Sequence, residues 1–435
     1  MRTAPTHGSA VAWTATSARA LPPPVGTRDL LPPEASARRG LVRRLAEGFE
    51  LHGYALVTTP PFELAETIER GLGADPRETL RFVDPETGEV SVFRPDLTVQ
   101  VARLVASGLR ERPAPLRLYY EGHVLRARRG RARRQRQVAQ IGAECLGIAG
   151  APGDAEIIEL ASRSLERVGL AHRVEIAAVP MVRALSQRLP ADRAPRVTEA
   201  LSRKDARGVE RALDGADVAA ALVRALIELE SLMGGVEVLE RARLLLEPFV
   251  PEHVRAIESL CDALARRGLA SRLSIDLGEV RGLDYYTGPS FALLADGPGE
   301  PLGAGGRYDD LLGRFGRPLP ASGFAIDLDH LARAIAVQGR SRVERELRVV
   351  VVGTNAPSVA DALRSAGIRT AVLDDTALEA ARSYAESWQL GAAIGLSEHG
   401  ATIQWVDGRV GSCATADLST HLLDEHRRAS AEDRT

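Results

Sequence analysis

Lysine is almost absent from this chain: of its 56 basic residues only Lys204 is a lysine. The imbalance reads as a compositional bias toward arginine, so clusters of arginine carry less functional meaning than they would elsewhere. An excess of either charge is missing too. A net charge of −2 over 435 residues gives no global attraction to nucleic acid or to an anionic membrane. Cysteine is scarce, and Cys145, Cys261 and Cys413 show no CxxC or Cys/His ligand spacing. That argues against a disulfide framework or a structural zinc site and fits a reduced, cytoplasmic compartment. No apolar run approaches the roughly 18 residues needed to span a bilayer. Residues 1–20 lack a charged segment followed by a long apolar one, so a disordered tail is expected there rather than a targeting peptide. Internal repeats are missing as well.

What is present is the composition of a soluble globular protein, 45% hydrophobic and 26% charged, long enough for two or three domains. Leu41, Leu45 and Phe49 recur at helical spacing over residues 34–51. Gly53 ends that helix, and residues 54–59 read as a strand stopped by Pro60 and Pro61. Between residues 115 and 147 two strands flank an arginine-rich loop. Period-two alternation puts Leu116, Leu118, Tyr120, Gly122, Val124 and Arg126 on one face of the first, and Val138, Gln140, Gly142 and Glu144 on one face of the second. Polar groups on an otherwise buried face are informative, because burial without partners costs a few kcal/mol each.

Residues 169–272 are mostly helical in pattern, and Leu222, Leu226, Leu229 and Met233 form a stripe assigned to helix packing. Strand character returns at 271–277 and 285–294, and 322–326 feeds a helix starting near Asp327. Beyond a polar linker at 338–346 the pattern becomes strand 347–353, helix 358–366 and strand 370–373, as in a small separate α/β domain.

Four clusters carry candidate chemistry. In FRPDLT, residues 93–98, Asp96 and Thr98 would face the same way in an extended segment, as acceptors for an ammonium group. An Asp96 cap on the helix that follows is the alternative. The paired strands offer Arg126, Gln140 and Glu144, and seven arginines fall between Arg126 and Arg136 inclusive. Those arginines form either a solvated loop or a phosphate or RNA contact; Arg126 is the one placed to point inward. In RGLDYYTG, residues 281–288, Arg281 with Tyr285 and Tyr286 could hold a carboxylate and a ring together, or could form a tight turn with tyrosines packed on it. GAGGRYD, residues 303–309, contains Tyr308 and suits a bulge or turn; its glycines match neither a Walker loop nor a dinucleotide fingerprint.

In this order and at these intervals the clusters resemble the catalytic core of the class II histidyl-tRNA synthetase family, from about residue 25 to residue 336. VGTRDLLP, residues 25–32, is similar to that family's opening motif, which leads into a dimer-forming helix. The resemblance implies an α+β fold: an antiparallel sheet core flanked by helices over residues 21–337, a helical insertion at about 178–268, and a small α/β domain at 346–425 resembling a shortened anticodon-binding domain. It also implies a histidine pocket. There Asp96, Thr98 and Gln140 would hold the α-amino group, Glu144 and Tyr286 would read the imidazole, Arg281 would lie near the carboxylate with Arg126 pointing inward, and Tyr285 and Tyr308 would form the wall.

The departures from the family fall on the nucleotide side. His330 stands where the last motif has an arginine that grips ATP, and Arg126-Ala127-Arg128 replaces the arginine-x-glutamate that opens the ATP loop. Losing one preorganised contact of this kind costs on the order of 3–4 kcal/mol of transition-state stabilisation. With FRPDLT in place of RPEGT, the pattern resembles the non-catalytic paralogues of the family, the regulatory subunits of ATP phosphoribosyltransferase. That likeness implies no catalytic residues, no cofactor and no metal. It implies histidine as ligand, a homodimer within a hetero-oligomer, and the short-form ATP phosphoribosyltransferase catalytic subunit as partner in histidine biosynthesis. Neither membrane nor tRNA is an expected partner. The alternatives are an active histidine–tRNA ligase and a histidine-binding module acting on some other protein.

Overall fold

The computed structural model describes residues 22–73, 79–127, 135–280, 285–339, 347–374 and 376–432, with side chains to residue 429. The expected tail, most of the arginine-rich loop, Arg281 and most of the 338–346 linker therefore lie outside the described residues.

Chain order begins with α1 (Glu34–Leu51), whose Leu41, Leu45 and Phe49 are buried at the spacing the sequence shows. It runs on through β1 (Ala55–Leu56), β2 (Phe62–Leu64), α2 (Ala65–Leu72), β3 (Leu80–Val83), β4 (Val90–Phe93) and α3 (Thr98–Ser107). Two ten-residue strands follow, β5 (Leu116–Leu125) and β6 (Gln137–Leu146), then α4 (Gly150–Arg167) and β7 (Arg173–Ala177). Next come α5 (Val179–Ser186), α6 (Ala194–Ser202), α7 (Ala206–Leu213), α8 (Ala220–Glu228), the short β8 (Met233–Gly234), α9 (Val238–Leu246) and α10 (Pro251–Arg266). The chain then returns to the sheet through β9 (Leu273–Asp276), β10 (Ser290–Leu294), β11 (Gly303–Arg307), β12 (Ala321–Asp327) and α11 (Leu328–Val337).

These strands form a nine-stranded sheet in the order β1-β5-β6-β12-β11-β10-β7-β9-β8, antiparallel except for the β1–β5 and β7–β9 pairs. The fold is α+β, as the sequence implies. One sheet face carries Tyr119, Ile141, Ala143 and Phe324, which pack with Leu45 and Phe49 of α1 and Ile157, Ile158 and Leu165 of α4 into the larger core. The opposite face carries Leu118, Tyr120, Val124 and Val138 and packs with Val99, Val101 and Val105 of α3. Because side chains alternate along a strand, each long strand serves both cores. Tyr285, Tyr286 and Tyr308 belong to the second.

The C-terminal elements are β13 (Arg348–Gly353), α12 (Ala356–Ser365), β14 (Arg369–Val372), α13 (Leu378–Ser387), β15 (Ala392–Ser397), β16 (Gly400–Trp405), β17 (Val410–Cys413) and α14 (Leu418–Glu432). They build a second sheet in the order β14-β13-β15-β16-β17, with β13 parallel to both its neighbours. Val349, Val350, Val351 and Val352 of β13, an interior strand, are all buried, which is why its sequence is continuously apolar rather than alternating.

Three sequence expectations are corrected. Of residues 54–59 only Ala55–Leu56 pair as a strand. Leu222, Leu226 and Leu229 are buried, but Met233 is 56% exposed, because α8 ends at Glu228 and a 3-10 turn redirects the chain before β8. The glycines of GAGGRYD lie in a strand, β11, rather than in a bulge or turn. A Cβ on Gly305 would stand 2.3 Å from the Gly323 carbonyl and 2.7 Å from the Phe291 ring, so these glycines are required by close packing inside the sheet. Among the described residues, no helix is long and apolar enough to cross a membrane.

Candidate functional site

The register of β5 on β6 sets Leu118 opposite Glu144, Tyr120 opposite Gly142 and Gly122 opposite Gln140, so the alternating residues named from sequence do share one face. Glycine is what lets the side chains on this face approach the backbone so closely. A Cβ on Gly142 would meet the Tyr120 hydroxyl at 2.6 Å, and one on Gly323 of β12 would come within 1.6 Å of a Glu144 carboxylate oxygen. Gly323→Ala is therefore expected to force Glu144 from its seat at an overpacking cost of about 1–3 kcal/mol. A melting curve of that variant checks this; an unchanged melting temperature would mean that the pocket tolerates the methyl group.

Glu144 is the centre of the site and is 1% exposed. Thr98, the first residue of α3, donates its hydroxyl to Oε1 at 2.8 Å, and the Tyr308 hydroxyl donates to Oε2. The Tyr120 hydroxyl joins the same group. Burial lifts the Glu144 pKa to about 8 against the opposing pull of these hydroxyls, and the nearby Asp96 charge adds to the rise. Asp96 is likewise pushed upward by burial, while hydrogen bonds from Val99 and Thr98 and the charge of Arg126 hold it down. Its Oδ1 accepts from the Val99 backbone N–H at 3.3 Å. Asp96 thus takes the capping role at the start of α3, and its charge acts on Glu144 and Tyr286.

Tyr285, Tyr286 and Tyr308 are buried and meet edge to face, Tyr285–Tyr286 at 5.4 Å and Tyr285–Tyr308 at 5.6 Å between ring centroids. Burial raises the pKa of all three, aided by the Asp96 and Glu144 charges at Tyr285 and Tyr286 and by Glu144 at Tyr308, so the hydroxyls remain proton donors. Tyr285 and Tyr286 precede β10 in an irregular segment instead of lying in a strand. A clasp holds that segment in place: the Thr287 N–H donates to the Arg307 carbonyl at 2.8 Å, and the Asp309 N–H donates to the Thr287 hydroxyl at 2.9 Å. Arg307, 4% exposed, forms ion pairs with Asp154 at 2.7 Å and Asp309 at 2.8 Å, and also donates to the carbonyls of Ile148 and Gly150.

The remaining sequence candidates are placed less centrally. Gln140 is half-buried on the pocket face. Arg126 follows β5, with its backbone N–H donating to the Arg136 carbonyl at 3.0 Å and its charge acting on Asp96. Tyr120 and the Arg307–Asp154 pair were missed among the candidates. Tyr120 could have been found, since it shares the alternating face; nothing local in the sequence joins Asp154 to Arg307.

At the start of α11, Asp327 caps the helix by accepting from the N–H groups of Asp329 and His330. The His330 ring is 2.8 Å from the Pro301 carbonyl through Nδ1, and its Nε2 lies 3.8 Å from Glu300 and 3.7 Å from Asp327. Asp329 is taken up by Arg28 of the VGTRDLLP segment, at 2.6 Å, and by Arg38.

Residues 26–331 match the family model described as histidyl-tRNA synthetase. A curated relative from Anaeromyxobacter dehalogenans strain 2CP-1, an ATP phosphoribosyltransferase regulatory subunit, is 43% identical over 340 residues, covering 77% of this chain and 97% of the relative. The chain belongs to the histidyl-tRNA synthetase-like family of ATP phosphoribosyltransferase regulatory subunits. A member of this regulatory-subunit family from Moorella thermoacetica is 40% identical over 72% of this chain and 81% of its own length. A crystal structure from Bacillus halodurans, described as an ATP phosphoribosyltransferase regulatory subunit/histidyl-tRNA synthetase, superposes with a TM-score of 0.74 at 29% identity over 85% of this chain and 97% of its own.

Proposed function

We propose that this chain is a non-catalytic regulatory subunit of ATP phosphoribosyltransferase in histidine biosynthesis, and that it binds histidine in the pocket around Glu144. The observation that carries the reading is a buried carboxylate met by the hydroxyls of Thr98 and Tyr308, beside a second acid, Asp96, and a tyrosine wall. Such a site suits a ligand with two basic groups. Asp96, Thr98 and Gln140 would receive the α-ammonium, and Glu144 with Tyr286 would read the imidazole. Tyr285 and Tyr308 would close around the ring, and Arg126 and Arg281 would lie toward the carboxylate. Charge-assisted hydrogen bonds of this kind contribute about 1.5–3 kcal/mol each.

Two features support the absence of adenylation chemistry. A ring whose Nδ1 lies against a carbonyl and whose Nε2 has two carboxylates near it offers no guanidinium to a triphosphate at position 330. Arg128 stands where the family has its adenine-reading glutamate. The partner would be the short-form catalytic subunit, with this chain as a homodimer inside a hetero-oligomer. Feedback requires only that histidine bind one quaternary state more tightly than another.

The experiment is histidine-dependent ATP–pyrophosphate exchange, run with a histidyl-tRNA synthetase as positive control, next to thermal melts with millimolar histidine. The expected result is no exchange together with a rise in melting temperature. Clear exchange would make the chain a histidine–tRNA ligase, and no thermal shift would end the histidine reading.

A further inference from the structure

Lys204 is the only lysine among the 56 basic residues of the chain, so it stands apart from the bias toward arginine. It lies between α6 and α7, with its backbone in the left-handed region at φ +55°, where residues other than glycine are uncommon. Its Nζ donates to both carboxylate oxygens of Asp276, at 2.6 and 2.7 Å. Asp276 closes β9 and is 5% exposed. An ammonium is a compact point charge and a guanidinium a wide planar fork, so the two are not interchangeable against one buried carboxylate. The surroundings add to the need for a cation here. Glu175 on β7 is half-buried; its carboxyl is pushed up by burial first and then by the charges of Asp276 and Glu279, with Lys204 drawing it down.

Two further contacts join the same strand end to the helical segment between β7 and β9. The Leu277 N–H donates to the Leu232 carbonyl at 3.0 Å, beside the pairing of Met233 with Asp276. Gly278 runs past the 3-10 turn that follows α8, where a Cβ would stand 3.0 Å from the Leu229 carbonyl oxygen and 3.2 Å from the Glu230 Cα. Glu230 in turn accepts the Ala206 N–H at 3.0 Å, which ties that turn to the start of α7, next to Lys204. Each of Asp276, Leu277 and Gly278 therefore touches the helical segment. These residues lie just upstream of the RGLDYYTG motif, and the clasp at Thr287 holds the far end of that motif.

We infer that Lys204 is a positioning residue for the pocket: by holding Asp276 it fixes the near end of the tyrosine-bearing motif, and it thereby couples ligand binding to the helical segment between β7 and β9. This deepens the reading of the pocket as a histidine site and rests on it. Tyr285 and Tyr286 are held between two anchors, the strand end at 276–278 and the clasp at Thr287, and the first of these is seated on the helices. Coupling is reciprocal, so whatever the joint contributes to ligand affinity the ligand returns as stability of the helical segment. Without Lys204 the buried Asp276 loses the cation that faces it while the acids Glu175 and Glu279 remain, and an unpaired buried charge displaces its surroundings rather than stay in place.

The test uses the full chain and Lys204→Met, which nearly keeps the length of the side chain and removes its charge. Titration calorimetry reads histidine affinity, and hydrogen exchange with and without histidine reads the amides of residues 194–232. In the unaltered protein histidine is expected to slow exchange over those residues. In Lys204→Met affinity should be about tenfold weaker, within the usual range of coupling between sites, and the histidine-dependent slowing should be lost. Asp276→Asn should reproduce both effects, and the double variant should bind no more weakly than either single one, because each change breaks the same joint. Should Lys204→Met fail to fold, Asp276→Asn, which retains an acceptor for the Gly278 N–H, carries the comparison. A variant that melts earlier yet binds histidine as tightly, with the slowing intact, would give Lys204 a structural role alone and overturn the inference. So would an unaltered protein that binds histidine with no change in exchange at 194–232. If the unaltered protein binds no histidine, the amino-acid reading itself falls, and the inference with it.

Discussion

Replacing Arg307 with alanine lowers the stability of the folded chain by about 3–5 kcal/mol, the usual consequence of leaving a buried acid without its partner. The melting temperature falls by roughly 10 °C. The size of the effect follows from what this one side chain joins. It links Asp154, buried on α4, to Asp309 beyond β11 and also donates to the carbonyls of Ile148 and Gly150. Asp154→Ala should cost a similar amount, and the double variant much less than the sum, because both single changes break one interaction. Additive losses would show that the pair is not coupled. Histidine binding should weaken in Arg307→Ala, since the Arg307 side chain pairs with Asp309, whose N–H holds the Thr287 hydroxyl and with it the Tyr285–Tyr286 segment.

Glu144→Gln is expected to reduce histidine affinity at least a hundredfold, which corresponds to about 2.8 kcal/mol. The same variant has a second, opposite signature in the free protein. The Glu144 pKa is raised to about 8 by burial, whereas an unfolded chain releases that proton near 4.3. Between those values the folded state holds the extra proton, so stability from this group is complete below about pH 4.3 and is lost as pH rises toward 8 and beyond. Melts of the unaltered protein from pH 5 to 9 should therefore decline more steeply than those of Glu144→Gln, which carries no titrating group. Parallel curves for the two proteins would mean that Glu144 is charged and satisfied in the folded state at neutral pH.

Period-two alternation identified the pocket face of β5 and β6, because a strand packed on both sides must separate its polar and apolar residues along the chain. The spacing of Leu41, Leu45 and Phe49 likewise revealed α1 and the side it buries. The network itself was less legible. Thr98 and Tyr308 reach Glu144 from 46 and 164 residues away, and no local pattern records such meetings. Gly305 could suggest a turn in sequence, yet its meaning, like that of Gly142 and Gly323, is the close approach of Phe291, Tyr120 and Glu144, which only the sheet register supplies. Met233 failed for a related reason: a helical stripe continues on paper past Glu228, where the backbone leaves the helix.

Asp327 caps α11 as a helix start requires, with His330 in the first turn. On the proposed reading, the histidine at this position would remove adenylation chemistry while leaving the local structure in place.

The most direct test of the account is to mix this chain with a short-form ATP phosphoribosyltransferase catalytic subunit and measure phosphoribosyltransferase activity across a histidine titration. The account predicts that activity rises when the chain is added and falls as histidine is added, and that Glu144→Gln supports activity while shifting inhibition to at least a hundredfold higher histidine. Activity and histidine sensitivity that are the same with and without the chain would contradict it.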